Sequence, residues 1–208
     1  MRRAIVKNLS PQGVAAEVFC ALLLRAWGLT VPEPAIVASP MAFASMDTGY
    51  PNMKQRIGWS DSLPAAVSSA LQARGAELVS HFSETPLALA VDEAIENRDR
   101  NLGNILWDGE NVAWVDHERA LGVIPMQDTN ILAVMAQMSS NAENVRSAAV
   151  AISLTLAQTA VKQAEAECSG HVDAIAFVTA VSTKLKGLAQ AVLNRFPTPP
   201  DLLQAAVP

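Results

Sequence analysis

At 208 residues the chain is long enough for one domain or a compact two-part unit, and with half its residues apolar and 17% charged it has the composition of a folded protein. A net charge of −5 and the lack of any Lys/Arg run argue against a general nucleic-acid binder and against a basic membrane patch. Met1-Arg2-Arg3 leads into a short strand-like run, so no signal peptide is expected, and the longest apolar stretch, residues 147–161, is too short and too polar to span a bilayer. Cys20 and Cys168 are distant thiols within apolar helical patterns, and the three histidines (His81, His117, His171) are widely spaced. The expectation is a cytoplasmic protein without a disulfide framework or a zinc site.

In chain order, Ala4-Ile5-Val6 forms a short β-prone run that ends at Lys7. Ser10-Pro11 reads as an N-cap followed by proline in the first turn, opening a helix over 12–27 that Gly28 ends. Pro34–Ala38 is a second short strand. Residues 39–60 read as loop, with a turn at Gly49-Tyr50-Pro51-Asn52. The Met41–Met53 stretch reads either as the lining of an adenine pocket or as irregular core filling. Helices are expected over Leu63–Ser80 and from Thr85-Pro86 to about Asn97. Asn104–Trp107 and Val112–Val115 are β-prone runs joined through Asp108-Gly109, a strong hairpin signal. From Asp128 to Phe196 the pattern gives three helices, with breaks near Ser139–Asn141 and Ser169–Gly170, and a proline-rich tail from Pro197 to Pro200.

Residues 91–119 hold eight acids against three arginines, which marks either a solvated surface or a cation site. The hairpin favours the second. If Trp107 faces Val112, antiparallel pairing sets Asn104 opposite Val115, so Asn104 and Asp116 share the open end at roughly cross-strand spacing, about 5 Å. Asp99 lies five residues before Asn104, in the loop leaving the preceding helix. One neutral and one charged oxygen ligand suit magnesium that keeps water and phosphate oxygens in its other positions, and a further carboxylate can accept or orient a proton. The spacing Asp99-x-x-x-x-Asn104, with Asp116 after the hairpin, is that of a protein-kinase-like active site.

The run Asn97-Arg98-Asp99-Arg100-Asn101-Leu102-Gly103-Asn104, followed by Trp114-Val115-Asp116-His117, resembles the HipA-like kinases. It is more distantly similar to the phosphoinositide kinases, whose loop reads D-R-H-x-x-N, and Asn101 stands where these families usually carry His. Ala4-Ile5-Val6-Lys7 looks like the kinase strand that ends in the phosphate-binding lysine. Glu17 is the sole charge between Lys7 and Arg25 on a helix apolar nearly all round. A carboxylate there needs a partner, and Lys7 is the nearest by sequence, as in the Lys–Glu pair of kinases. The other readings are an ordinary exposed lysine and a glutamate that favours the first half of its helix electrostatically.

The resemblance implies an α+β, reduced protein-kinase-like fold. Residues 1–60 would form a reduced N-terminal part and hinge-like segment, and residues 61–208 a mainly helical lobe carrying the catalytic loop and hairpin (97–117). It implies ATP and Mg2+ as cofactors and a protein substrate or regulatory partner chain, with transfer of the γ-phosphate to a hydroxyl, a protein Ser/Thr. Lys7 and Glu17 would serve the nucleotide, Asn104 and Asp116 the metal, and Asp99 the attacking hydroxyl. In this sequence six residues precede Lys7 and none is glycine. The phosphate lid is therefore expected from another chain, or the site is open-roofed, or the protein is a pseudokinase acting as a binding or regulatory module. Two further readings stay open: Asp92 either braces the catalytic loop or sits on a solvated helix face, and His117 is expected to make a structural hydrogen bond.

Overall fold

The computed structural model describes residues 3–197. Ser10 caps the first helix, its Oγ accepting from the Gly13 N–H at 3.1 Å, and Pro11 occupies the first turn. Helix α1 (Pro11–Ala26) runs to the Trp27 cap, and Gly28 at φ +88° turns the chain away, a conformation glycine takes without steric cost. The helix is buried nearly all round because strands β2 (Pro34–Ala38) and β3 (Met41–Met46) cover one side and helix α7 (Gln158–Cys168) another.

Strand β1 (Ala4–Lys7) pairs antiparallel with β3, and β3 with β2, giving the sheet order β1-β3-β2. The expected loop over 39–60 is thus corrected: it contains the central strand of the sheet. Met, Ala and Ser are weak β-formers, and pairing on both edges, with Ala42, Phe43 and Ala44 buried, overrides that preference. The same stretch also holds the one-turn helix α2 (Met53–Arg56), closed by a capping box between Asn52 and Gln55, and Met53 is fully buried as core filling. In contrast, β1 is an edge strand whose Ile5 and Val6 are 50% and 54% exposed.

Helix α3 (Ala65–Ser80) leads to α4 (Thr85–Ala94), which stops three residues before the expected end, and the chain passes through Glu96 at φ +51°. The hairpin forms as β4 (Ile105–Trp107) and β5 (Val112–Trp114), with Trp107 opposite Val112. Its turn is tied by Asp108 Oδ1, which accepts the N–H groups of Glu110 and Asn111 at 2.8 and 2.7 Å, while Gly109 takes φ +116°. Both sides of the hairpin are anchored: Trp114 N–H donates to Thr30 O and Trp107 N–H to Pro51 O, each at 2.9 Å. Trp114 is fully buried with its indole N–H on Glu84, and Trp107 packs against Phe82.

Among the described residues five helices follow where three were expected: α5 (Ile131–Gln137), α6 (Ala142–Ser153), α7, α8 (Ile175–Leu185) and α9 (Leu188–Leu193). The two additional breaks fall at residues 154–157, where the Thr155 hydroxyl bonds back to Ile152 O, and at Lys186–Gly187. Helices α6 and α9 pack on α4, so the helical side supports the segment leading into the hairpin. The tail from residue 198 lies outside the described residues. No helix among the described residues is long and apolar enough to cross a membrane.

Candidate functional site

The segment after α4 is shaped by two buried arginines that flank Asp99. Arg98 makes a two-pronged contact with Glu93, at 3.0 and 3.1 Å, and reaches Asp128 at 2.9 Å. Arg100 is completely buried, with Nε and Nη2 each 3.0 Å from the carboxylate of Asp92. Asp92 therefore braces this loop, and Asn97 Nδ2 donates to the same carboxylate at 2.9 Å. With Arg98 and Arg100 turned inward, Asp99 is left at the surface of the loop, 28% exposed, its Oδ2 3.4 Å from Arg119 Nη1.

The remaining guanidinium nitrogen of Arg100 joins the loop to the hairpin. Nη1 donates to Asn104 O at 3.2 Å and to Val115 O at 2.6 Å, so one side chain holds both strand ends. Asn101 tightens the turn: its Nδ2 donates to Asp99 O at 3.1 Å and its Oδ1 accepts from Gly103 N–H at 2.8 Å. Asn104 lies in a short 3-10 turn (Leu102–Asn104) rather than at the start of a strand, which corrects that expectation. Its backbone is nevertheless opposite Val115, whose N–H donates to Asn104 O at 3.1 Å. Asn104 Nδ2 is committed to Asp99 O at 2.7 Å. Its Oδ1 has no protein partner among the described residues and is not fully sealed from solvent, although Asn104 as a whole is only 7% exposed.

Asp116 follows at φ +71°, in the left-handed region that Asp and Asn tolerate better than most residues. That backbone turns its carboxylate toward the sheet. Lys7, at the end of β1, places Nζ 2.6 Å from Glu17 Oε1 and 2.7 Å from Asp116 Oδ1, with Glu118 Oε2 at 3.7 Å. Lys7 and Glu17 thus meet each other and meet Asp116, from three separate parts of the chain. The carboxylates of Glu17, Asp116 and Glu118 each place an oxygen within 4.8 Å of the others. Hard oxygen donors of this kind are the ligands magnesium takes, and here the Lys7 ammonium stands among them.

Electrostatics follow from burial and pairing. Burial opposes the charged form of Glu17, yet hydrogen bonding to His117 and the Lys7 ammonium outweigh it and hold the carboxyl at about 2. Burial likewise pulls Lys7 down, and Glu17 and Asp116 overcome it, so its pKa is raised. Glu118 moves upward, through partial burial first and the Asp116 charge second. The Cys20 and Cys168 thiols are both free and buried, and burial pushes both up, Cys168 to about 11.

Two contributors, Glu118 and Arg100, were not singled out from sequence. Glu118 carries no motif. Arg100 was read only as part of a consensus run. His117 was expected to make a structural hydrogen bond, and its ring bonds Arg100 at 2.9 Å, while its Nδ1 stands 3.4 Å from Glu17 and its backbone N–H donates to Glu17 at 3.0 Å.

No family model matches this sequence, and no curated protein matches it. Among solved structures the chain is similar to the crystal structure of a Helicobacter pylori proinflammatory kinase, CtkA. The TM-score is 0.52 at 13% identity, and the match covers 92% of this chain and 86% of that one. The fold is kinase-like. In that fold the β1 lysine and α1 glutamate stand on the sheet side and the 97–117 segment on the helical side, and the two sides meet at Asp116.

Proposed function

We propose that this chain is a HipA-like kinase that transfers the γ-phosphate of ATP to a hydroxyl, a Ser or Thr side chain of a protein. The observation that carries the reading is the junction at Lys7: one ammonium is held by Glu17 and by Asp116, the residue after Val115, whose backbone pairs with Asn104, and Asn104 Nδ2 in turn donates to Asp99 O.

In this reading Lys7 binds the phosphates and Glu17 fixes its direction. Asn104 Oδ1 and Asp116 would hold magnesium, which when bound would supply charge neutralisation along the phosphate chain. Asp99, with Oδ2 turned to Arg119, offers Oδ1 to the acceptor hydroxyl. The hydroxyl oxygen forms a bond to the γ-phosphorus, the bond from that phosphorus to the β,γ-bridging oxygen breaks, ADP leaves, and the hydroxyl proton passes to Asp99 Oδ1. Most of the rate comes from positioning and charge stabilisation. The test is transfer of labelled γ-phosphate to the protein itself or to a peptide pool. Transfer by the wild type that disappears in Asp99→Ala supports the reading, and transfer unaffected by Asp99→Ala contradicts it.

A second reading, a nucleotide-binding pseudokinase that acts as a regulatory module, is favoured by the open β1 edge, where Ile5 and Val6 stand exposed beside the phosphate site. A partner strand on that edge would roof the phosphates in either case. Magnesium-dependent ATP binding with no transfer, even with candidate partner chains added, selects this reading.

A further inference from the structure

The proposed chemistry makes no direct use of His117, a side chain only 1% exposed in the middle of a continuous polar chain. The chain runs from Asp92 on α4 to Arg100, from Arg100 Nη2 to His117 Nε2 at 2.9 Å, and from His117 to Glu17 and then Lys7 on β1. Arginine can only donate, so Nε2 of His117 accepts and the ring proton sits on Nδ1. That proton faces Glu17 Oε2 at 3.4 Å, the same oxygen that the His117 backbone N–H holds at 3.0 Å. The ring therefore stands as a rigid spacer between the guanidinium and the carboxylate.

Arg100 is also the group that holds the backbone of Asn104 and Val115. One guanidinium thus sets the proposed metal-binding end of the hairpin and, through the imidazole, the glutamate that aims Lys7. We infer that His117 is a positioning residue that keeps the Lys7–Glu17 pair on the sheet in register with Asn104 and Asp116 on the hairpin. This rests on the nucleotide-binding reading above and deepens it. Neither end is held by the ring alone: Arg100 Nη2 also donates to Asp92, and Glu17 Oε2 keeps the backbone N–H of His117. Loss of the ring removes register and leaves one Nη2–H of Arg100 without an acceptor, while Arg100 keeps Asp92 and Glu17 keeps the backbone N–H.

The test compares the affinities of ATP with magnesium and of adenosine, by calorimetry, in the wild type and three variants. The ratio of the two affinities isolates the contribution of the phosphates, and partial unfolding lowers the stoichiometry without changing that ratio. His117→Phe fills the space with no polar atom. His117→Asn keeps a donor for Glu17 but is too short to reach Arg100. His117→Gln retains both a donor and an acceptor. The phosphate-dependent part of binding is expected to fall about tenfold or more in His117→Phe and His117→Asn, the size seen when an orienting partner is removed. Adenosine affinity should hold, and His117→Gln should recover most of the loss. An unchanged ratio in His117→Phe and His117→Asn overturns the positioning role alone. A His117→Gln variant as impaired as His117→Phe also overturns it, because ring shape rather than the bridge would then matter. A wild type that binds neither ligand overturns the nucleotide reading, and the assigned purpose of His117 with it.

Discussion

Replacing Arg100 by Met tests how the loop and hairpin are held together. The guanidinium is fully buried and makes two 3.0 Å contacts to Asp92, so its removal leaves a buried carboxylate whose remaining side-chain donor is Asn97. Val115 O loses its 2.6 Å donor in the same step. Breaking a buried pair by deleting one partner costs roughly 3–5 kcal/mol. That is a large share of a total stability of about 5–15 kcal/mol. For a chain of this size it lowers Tm by roughly 6–20 °C, at about 2–4 °C per kcal/mol. Because most of the loss comes from the stranded charge, the double variant Asp92→Leu/Arg100→Met should regain at least half of it. Thermal and urea unfolding followed by circular dichroism give both numbers. A single variant that loses less than about 1 kcal/mol, or a double variant no more stable than the single, would refute the reasoning, since a typical exposed pair costs no more than that.

Acid should unfold the protein in part through Glu17. Its carboxyl lies at about 2 in the folded chain against an ordinary 4.5, so the unfolded state takes up the proton first. Stability is then fully present above about pH 4.5 and is lost as pH falls toward 2, on the order of 3 kcal/mol from this group. Glu17→Gln should flatten the acid limb of a stability–pH curve, and an unchanged slope would count against the pairing. A methyl group at Gly103 would stand 2.8 Å from Asn101 Oδ1, so Gly103→Ala should dislodge the Asn101 cap. The expected cost is about 1 kcal/mol, read as a lower urea midpoint at constant slope, and no shift would show that the turn tolerates the side chain.

The parts of the molecule legible from sequence were those with local causes. Asp108-Gly109 between two β-prone runs fixes the hairpin register, and the register alone brings Asn104 alongside Val115. Glu17 kept two readings, a partner for Lys7 or a charge favouring the first half of its helix, and the pairing reading came from a lone carboxylate on a nearly all-apolar stretch. Strand β3 was hidden because Met41–Met46 lacks β-branched residues and gains its strand character only from two neighbours distant in sequence. The breaks after Ser153 and at Lys186 carry no proline, so the α6–α7 and α8–α9 runs read as longer helices. Asp92 kept two readings because its partner Arg100 becomes a buried neighbour only after the loop has folded back onto α4. For the same reason nothing in the order of residues marked His117 as the link between Arg100 and Glu17.

The central proposal is that Asn104 and Asp116 share a divalent ion with nucleotide phosphates beside Lys7. Calorimetric titration with ATP, in magnesium and then in chelator, on the wild type and on Asp116→Asn, tests it most directly. Asn is chosen because it tolerates the left-handed backbone at this position. The predicted result is tighter ATP binding in magnesium for the wild type, with that metal-dependent gain lost in Asp116→Asn. Equal affinity in magnesium and chelator, or a gain that survives the substitution, would contradict it.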